Sequence, residues 1–154
     1  MVWLKELPLY QKCFVCGDAN PAGLRVRFYA DGEEVRAGFV PDERWEGYPG
    51  MVHGGVLAAL LDEVMYKAVF AQGEFTVTAK IEVRFRSPAR VGVPLEARGR
   101  AGDRKGRLIK AQGEIRDGEN RLIATAAGTF CVLPPAQQKD LPGTPGASPF
   151  ETLT

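Results

Sequence analysis

The sequence predicts a single α+β domain in which one long helix is wrapped by a curved antiparallel sheet, in the order ββαββββ. Three observations carry that prediction. In the stretch GMVHGGVLAALLDEVMYKAVF (50–70), the residues from Val56 onward are good helix formers with apolar side chains on nearly every side, as a helix buried on most of its surface requires. The residues after it alternate polar and apolar over four stretches, the period of strands with one face in a core. Turns rich in Gly, Asp and Asn join those stretches, so they read as hairpins of an antiparallel sheet.

The elements follow in chain order. Residues 24–30 (LRVRFYA) and 33–40 (EEVRAGFV) alternate, and Asp31-Gly32 between them is a strong two-residue hairpin signal. Residues 41–52 hold Pro41, Gly47, Pro49 and Gly50 and read as a loop. The helix runs from Val56 to Ala71, with Gly73 as its stop. On it Glu63 and Lys67 stand four apart, in the favourable order for an exposed ion pair. In 75–86 (FTVTAKIEVRFR), Phe75, Val77, Ala79, Ile81, Val83 and Phe85 alternate with Thr76, Thr78, Lys80, Glu82, Arg84 and Arg86. Further strands are expected at 93–101, 106–116 and 121–133, separated by Gly102–Gly106 and Asp117–Asn120. The domain is therefore assigned to 1–133. Residues 134–154, PPAQQKDLPGTPGASPFETLT, hold five prolines and no periodic apolar face, and are expected to form a disordered or loosely attached tail.

Bulk composition narrows the function. At 154 residues the chain is one domain with a real core. No apolar stretch reaches the length of a membrane span, and MVWLKELPLYQKC lacks the apolar run of a secretory signal, so a cytoplasmic protein without a membrane partner is expected. Three cysteines argue against a secreted disulfide framework. The net charge of +1 conceals an asymmetry, because residues 80–110 hold ten Lys or Arg against three acids. Such a local excess steers anions, although solvated strand faces give the same pattern. A single-strand nucleic-acid surface would interleave exposed aromatics with the basic residues. Phe85 is the only aromatic in that span and alternates inward, so nucleic acid is not an expected partner.

The chemistry concentrates at HGG…D. A helix start presents unpaired N–H groups and the positive end of the macrodipole, and glycine lets a ligand approach them closely. Gly54 and Gly55 can therefore direct an N–H at a carbonyl oxygen. Asp62 interrupts an apolar run, where a carboxylate needs a cleft or a partner; in a cleft it serves as nucleophile or general base. Plainer readings stand beside these: His53 as a helix cap, the glycines as a tight turn, Asp62 beside Glu63 as a solvated face. Geometry adds a constraint. Gly54 and Asp62 are eight residues apart, about 12 Å along a helix, so both can act on one carbonyl only if they come from two chains.

HGGVLAALLDE resembles the His-Gly-Gly…Asp signature of the hotdog-fold acyl-CoA thioesterases, in the phenylacetate-pathway (PaaI-like) branch. CFVCGDANPAGL (13–24) is similar to the Cys-x-x-Cys-Gly…Asn-Pro-x-Gly-Leu segment of one subgroup, and GYPGMVHGG and VTAKIEVRFRSPARVG to the segments flanking its helix. The resemblance spans 13–133 and implies a hotdog fold. It also implies hydrolysis of an acyl-CoA thioester without a further cofactor, at sites shared across a homodimer or a dimer of dimers. By the same resemblance Asp62 is the catalytic carboxylate, Gly54 supplies the N–H that polarises the thioester, Gly55 opens the helix and His53 orients the site. Thr78 matches a hydroxyl that helps hold the attacking water. Strict alternation places Thr78 on the face away from the helix, so that role requires a bulge in the strand. Many relatives carry Asn or Gln where this chain has Gly47. The basic strands then supply contacts to the phosphates of coenzyme A, with Arg84, Arg86, Arg90 and Lys105 as candidates, and Trp45 and Tyr48 in loop 41–52 border the acyl group.

Cys13-x-x-Cys16 also invites a metal reading. A structural zinc wants four ligands, and Cys131 and His53 stand at no recognisable spacing, so no metal is expected and the thiols are read as packing near the first turn. Non-hydrolytic acyl-CoA binding on the same fold is the alternative function.

Overall fold

The computed structural model describes residues 4–143 and 145. Seven strands form one antiparallel sheet in the order β1-β2-β3-β5-β6-β7-β4. They are β1 (Lys5–Glu6), β2 (Tyr29–Asp31), β3 (Glu34–Phe39), β4 (Thr76–Phe85), β5 (Leu95–Lys105), β6 (Leu108–Asp117) and β7 (Leu122–Val132), with helix α1 (Gly54–Ala71) between β3 and β4. One strand more than expected precedes the helix, because Lys5–Glu6 pairs with Tyr29–Ala30. The first hairpin also turns one residue later than its sequence suggests. Asp31 pairs with Glu34, so Gly32 and Glu33 form the turn, with Gly32 at φ 64°. Residues 24–28 leave the sheet to bond the preceding loop, with Leu24 N–H donating to Phe14 O and Val26 N–H to Val15 O. The later hairpins turn at Gly106-Arg107 and at 118–121, and β5 runs on to Lys105 past an irregularity between Ala101 and Arg104.

Helix α1 crosses the inner face of the sheet. Leu60, Leu61, Val64, Met65 and Val69 are inaccessible to solvent there and pack with Ala97, Ile115, Ile123 and Phe130. The approach is close because a track of glycines lines the sheet beneath it. A Cβ at Gly99 would stand 2.5 Å from Val64 O, and one at Gly113 or Gly128 would press on Met65. At Gly99 the helix backbone itself occupies the space a side chain needs, and at Gly113 and Gly128 the side chains of Met65, Leu61 and Phe130 fill it.

Strand β4 is an edge strand, and its register with β7 slips between Thr78 and Lys80, leaving Ala79 as an extra residue. A bulge of one residue reverses which face the following side chains take. Thr76 and Thr78 therefore share the helix face with Ile81, Val83 and Phe85, while Val77 turns outward and is half exposed.

The first part of the segment expected as a tail carries structure. Pro135–Gln138 form a helical turn, α2, Gln138 Nε2 donates to Leu133 O, and Leu141 packs on Phe70 and Phe75. The rest of that expectation, residues 144 and 146–154, lies outside the described residues.

Candidate active site

Each part of the HGG…D motif has a definite place. His53 is the N-cap of α1, and its Nδ1 accepts the Gly55 N–H at 2.8 Å. That bond requires Nδ1 to be unprotonated, so a neutral His53 carries its proton on Nε2. The cap role that the sequence left open is thus present, and it fixes the helix start two residues ahead of the expected Val56. Gly55 spends its N–H on this cap. The Gly54 N–H, the first of the helix, meets no acceptor among the described residues. It lies beneath β4, where a Cβ on Gly54 would touch the Phe85 ring at 3.5 Å.

Asp62 lies two turns further on, in reach of the other end of β4. Thr78 Oγ1 donates to its Oδ1 at 2.7 Å. The bulge at Ala79 makes this contact, by aiming Thr78 inward. Burial pushes the Asp62 carboxyl above its ordinary range, while the Thr78 hydrogen bond draws it back. The solvated-face reading of Asp62 therefore does not hold: the carboxylate is half buried and bonded. Helix and strand run antiparallel, so Gly54 and Asp62 lie at opposite ends of their contact within one chain.

The neighbouring Glu63 contrasts with the exposed pair expected for it. Lys67 is 1% exposed, with Nζ 3.8 Å from Glu63 Oε1 and donating to Pro8 O at 2.6 Å. Burial raises the Glu63 carboxyl to about 7. Cys13 Sγ donates to Glu63 Oε1 at 3.7 Å and accepts the Cys16 N–H at 3.4 Å. Donation from the Cys16 thiol lowers Cys13 to about 5, and the same bond with burial raises Cys16. The apolar pattern of α1 gave no signal for this cluster, because its partners come from the loop 8–16.

The four candidate phosphate ligands do not converge in one chain. Arg84 pairs with Glu82 at 3.8 Å and lines a groove of about 570 Å³ on the outer sheet face, away from α1, with Glu34, Arg98, Arg100 and Glu114. Arg86 and Arg90 stand near the helix start, where Arg90 bridges to Met51. Lys105 is at the opposite end of the sheet, in line with Leu108, Cys131 and Val77. Strand geometry puts about 30 Å between Val77 and Arg86. Several bases of the 80–110 span are also paired, Arg98 with Glu96, Arg100 with Glu34 and Arg104 with Glu74, which weakens the expected field. In loop 41–52, Trp45 packs on Phe39 with ring centroids 5.4 Å apart, whereas Tyr48 is 80% exposed. At Gly47 a side chain would begin 3.3 Å from His53 Cα, so an amide there would lie against the cap.

Comparison with known proteins bears on the fold and on the stretch that holds the motif. Residues 49–124, which include α1 and β4, match the thioesterase superfamily. Human acyl-coenzyme A thioesterase THEM5 is 43% identical over 49 residues, which are 32% of this chain and 20% of that protein. The chain thus spans about a fifth of the curated relatives it matches. Among solved structures, a thioesterase superfamily protein superposes with a TM-score of 0.75 at 30% identity, covering 79% of this chain and 60% of that one. A phenylacetic acid degradation-related protein of Ralstonia eutropha gives 0.64 at 28% identity, covering 71% and 86%. The seven-stranded curved sheet around one long helix is the hotdog fold of these structures, and residues 49–124, about half of the chain, carry the match to the thioesterase superfamily.

Proposed function

We propose that the protein hydrolyses acyl-CoA thioesters at a site completed by a second copy of itself. The observation that carries this reading is the placement of an unpaired helix-start N–H and a half-buried carboxylate at opposite ends of one edge strand. At about 12 Å apart within a chain they cannot serve one carbonyl. Antiparallel pairing of β4 with a second β4 about its midpoint sets Thr78 of one copy against Val83 of the other. Asp62, bonded to Thr78, then approaches the partner's Phe85 and the Gly54 beneath it. Half-exposed Val77 and Phe85 on that edge favour such a covering.

In this arrangement the Gly54 N–H of one copy donates to the thioester carbonyl and stabilises the charge that develops on its oxygen. Asp62 of the other copy attacks the carbonyl carbon, or takes a proton from a water held by Thr78. Burial raises its ionisation above the ordinary carboxylate range, against the Thr78 hydrogen bond, which makes the ionised carboxylate a stronger base. His53 holds the helix start in place and is a positioning residue. Pairing also brings Lys105 of one copy toward the Arg86 end of the other, which gathers basic groups for the phosphates of coenzyme A. The acyl group meets the Trp45 side of loop 41–52. Thiol release from a panel of acyl-CoAs tests the reading directly. Turnover that is lost in Asp62→Asn, with acyl-CoA binding retained, supports hydrolysis; binding without turnover in the unaltered protein would leave a binding protein on the same fold.

A further inference from the structure

Outside this site, one group among the described residues brings three metal-ligating side chains together. Cys13 Sγ, Cys16 Sγ and a Glu63 carboxylate oxygen all lie within 4.8 Å of one another. The two thiols alone were too few for a metal in the sequence; the third donor comes from α1, 50 residues beyond Cys13. We propose that Cys13, Cys16 and Glu63 form a binding site for a borderline divalent ion of the zinc class, with water as the fourth ligand.

The geometry fits that ion. With zinc–sulfur bonds near 2.3 Å and zinc–oxygen bonds near 2.1 Å, a tetrahedral centre sets sulfur and oxygen about 3.6 Å apart. Cys13 Sγ and Glu63 Oε1 are 3.7 Å apart. The loop is also built to present sulfur to the helix. Gly17 N–H closes the turn on Cys13 O, and a Cβ at Gly17 would collide with Gln11 O and Cys13 N. The Cys16 N–H points at Cys13 Sγ, which favours a thiolate there. Asn20 holds the rest of the loop, its Oδ1 accepting the Ala22 N–H and its Nδ2 donating to Lys12 O.

Charge balance favours the same ion. Two thiolates and a carboxylate bring three negative charges, and a dication with the Lys67 ammonium, 3.8 Å from Glu63 Oε1, brings three positive ones. The buried cluster is then neutral overall, so its burial leaves no uncompensated charge. On binding, the thiol protons leave to solvent as the metal–sulfur bonds form. The ion would tie the loop 13–16 to the helix one residue beyond Asp62.

The test uses the full chain, stripped with a chelator, kept reduced and anaerobic, and titrated with Co2+. Thiolate-to-cobalt charge transfer and tetrahedral visible bands saturating at one cobalt per chain, and displaced by Zn2+, are expected. Cys16→Ser should abolish the charge-transfer pattern of a two-thiolate site, and Glu63→Gln should weaken binding at least about tenfold with the thiols intact. Because a serine variant can misfold, alkylation of the unaltered chain gives a second measurement: Zn2+ should protect the part-exposed Cys13 while Cys131 reacts as before. Absence of the charge-transfer band in folded, reduced protein overturns the site, as does equal alkylation of Cys13 with and without Zn2+. Neither measurement involves thioester turnover, so failure here leaves the hydrolase reading standing, and the reverse holds.

Discussion

Complementation between two inactive variants tests the shared site most directly. Asp62→Asn keeps the shape of the side chain and removes its capacity to attack or to accept a proton, and a loss of at least about a hundredfold is expected. Gly54→Pro removes the N–H aimed at the carbonyl. Gly54 is the first residue of α1, where proline is well tolerated, so the helix should persist while turnover falls by roughly a hundredfold or more. A two-fold dimer has two equivalent sites. In a mixed dimer one site combines Asp62 of the proline variant with the Gly54 N–H of the asparagine variant, and the other site has both lesions. Purified mixed dimers should therefore recover about half of normal activity, and an unfractionated one-to-one co-expression about a quarter. Differently tagged chains, tandem affinity purification and a thiol-release assay give the measurement, with circular dichroism to confirm folding. Folded mixed dimers no more active than their parents would show that the two groups do not serve one thioester.

Other outcomes follow from particular contacts. Thr78→Val keeps the shape but removes the donor to Asp62, and kcat should fall roughly tenfold to a hundredfold, with Thr78→Ser restoring most of it. Gly99→Ala places a Cβ 2.5 Å from Val64 O, so chemical denaturation should show a loss of about 1–3 kcal/mol. Val77→Lys sets a charge on the free edge of β4, and light scattering should then report monomers that are inactive in steady-state assays. Leu141→Ala uncovers part of Phe70 and Phe75 and should lower stability by about 1 kcal/mol without changing KM.

The sequence showed the helix, its capping start and the later hairpins because each depends on neighbours close along the chain. Asp62 was visible for the same reason, as a carboxylate inside an apolar run. The departures lie where distant groups decide. Thr78 turns toward Asp62 only because Ala79 is left without a partner on β7, and period-two alternation does not register a bulge. Glu63 and Lys67 read as an exposed pair, yet Pro8 O and the loop 13–16 enclose them. The first strand shortened because residues 24–28 found acceptors in that loop instead of in the sheet. The local excess of basic residues over 80–110 also grouped Arg84, Arg86, Arg90 and Lys105, which the fold sets apart, with Lys105 at one end of the sheet and Arg86 and Arg90 at the other.

The glycine track under α1 sets a dimension of the molecule that no active-site residue controls. Val64 and Met65 rest on Gly99, Gly113 and Gly128, and Asp62 leaves the same helix less than one turn earlier. The depth of the helix in the sheet is therefore also the height of the carboxylate above β4. A methyl group added on the far side of the helix would act as a shim, tilting Asp62 relative to Thr78 without touching either. Changes in the small residues along this track would thus alter the separation of Asp62 from Thr78 while the motif residues stay the same. The geometry of the carboxylate is set by packing as much as by its own hydrogen bond.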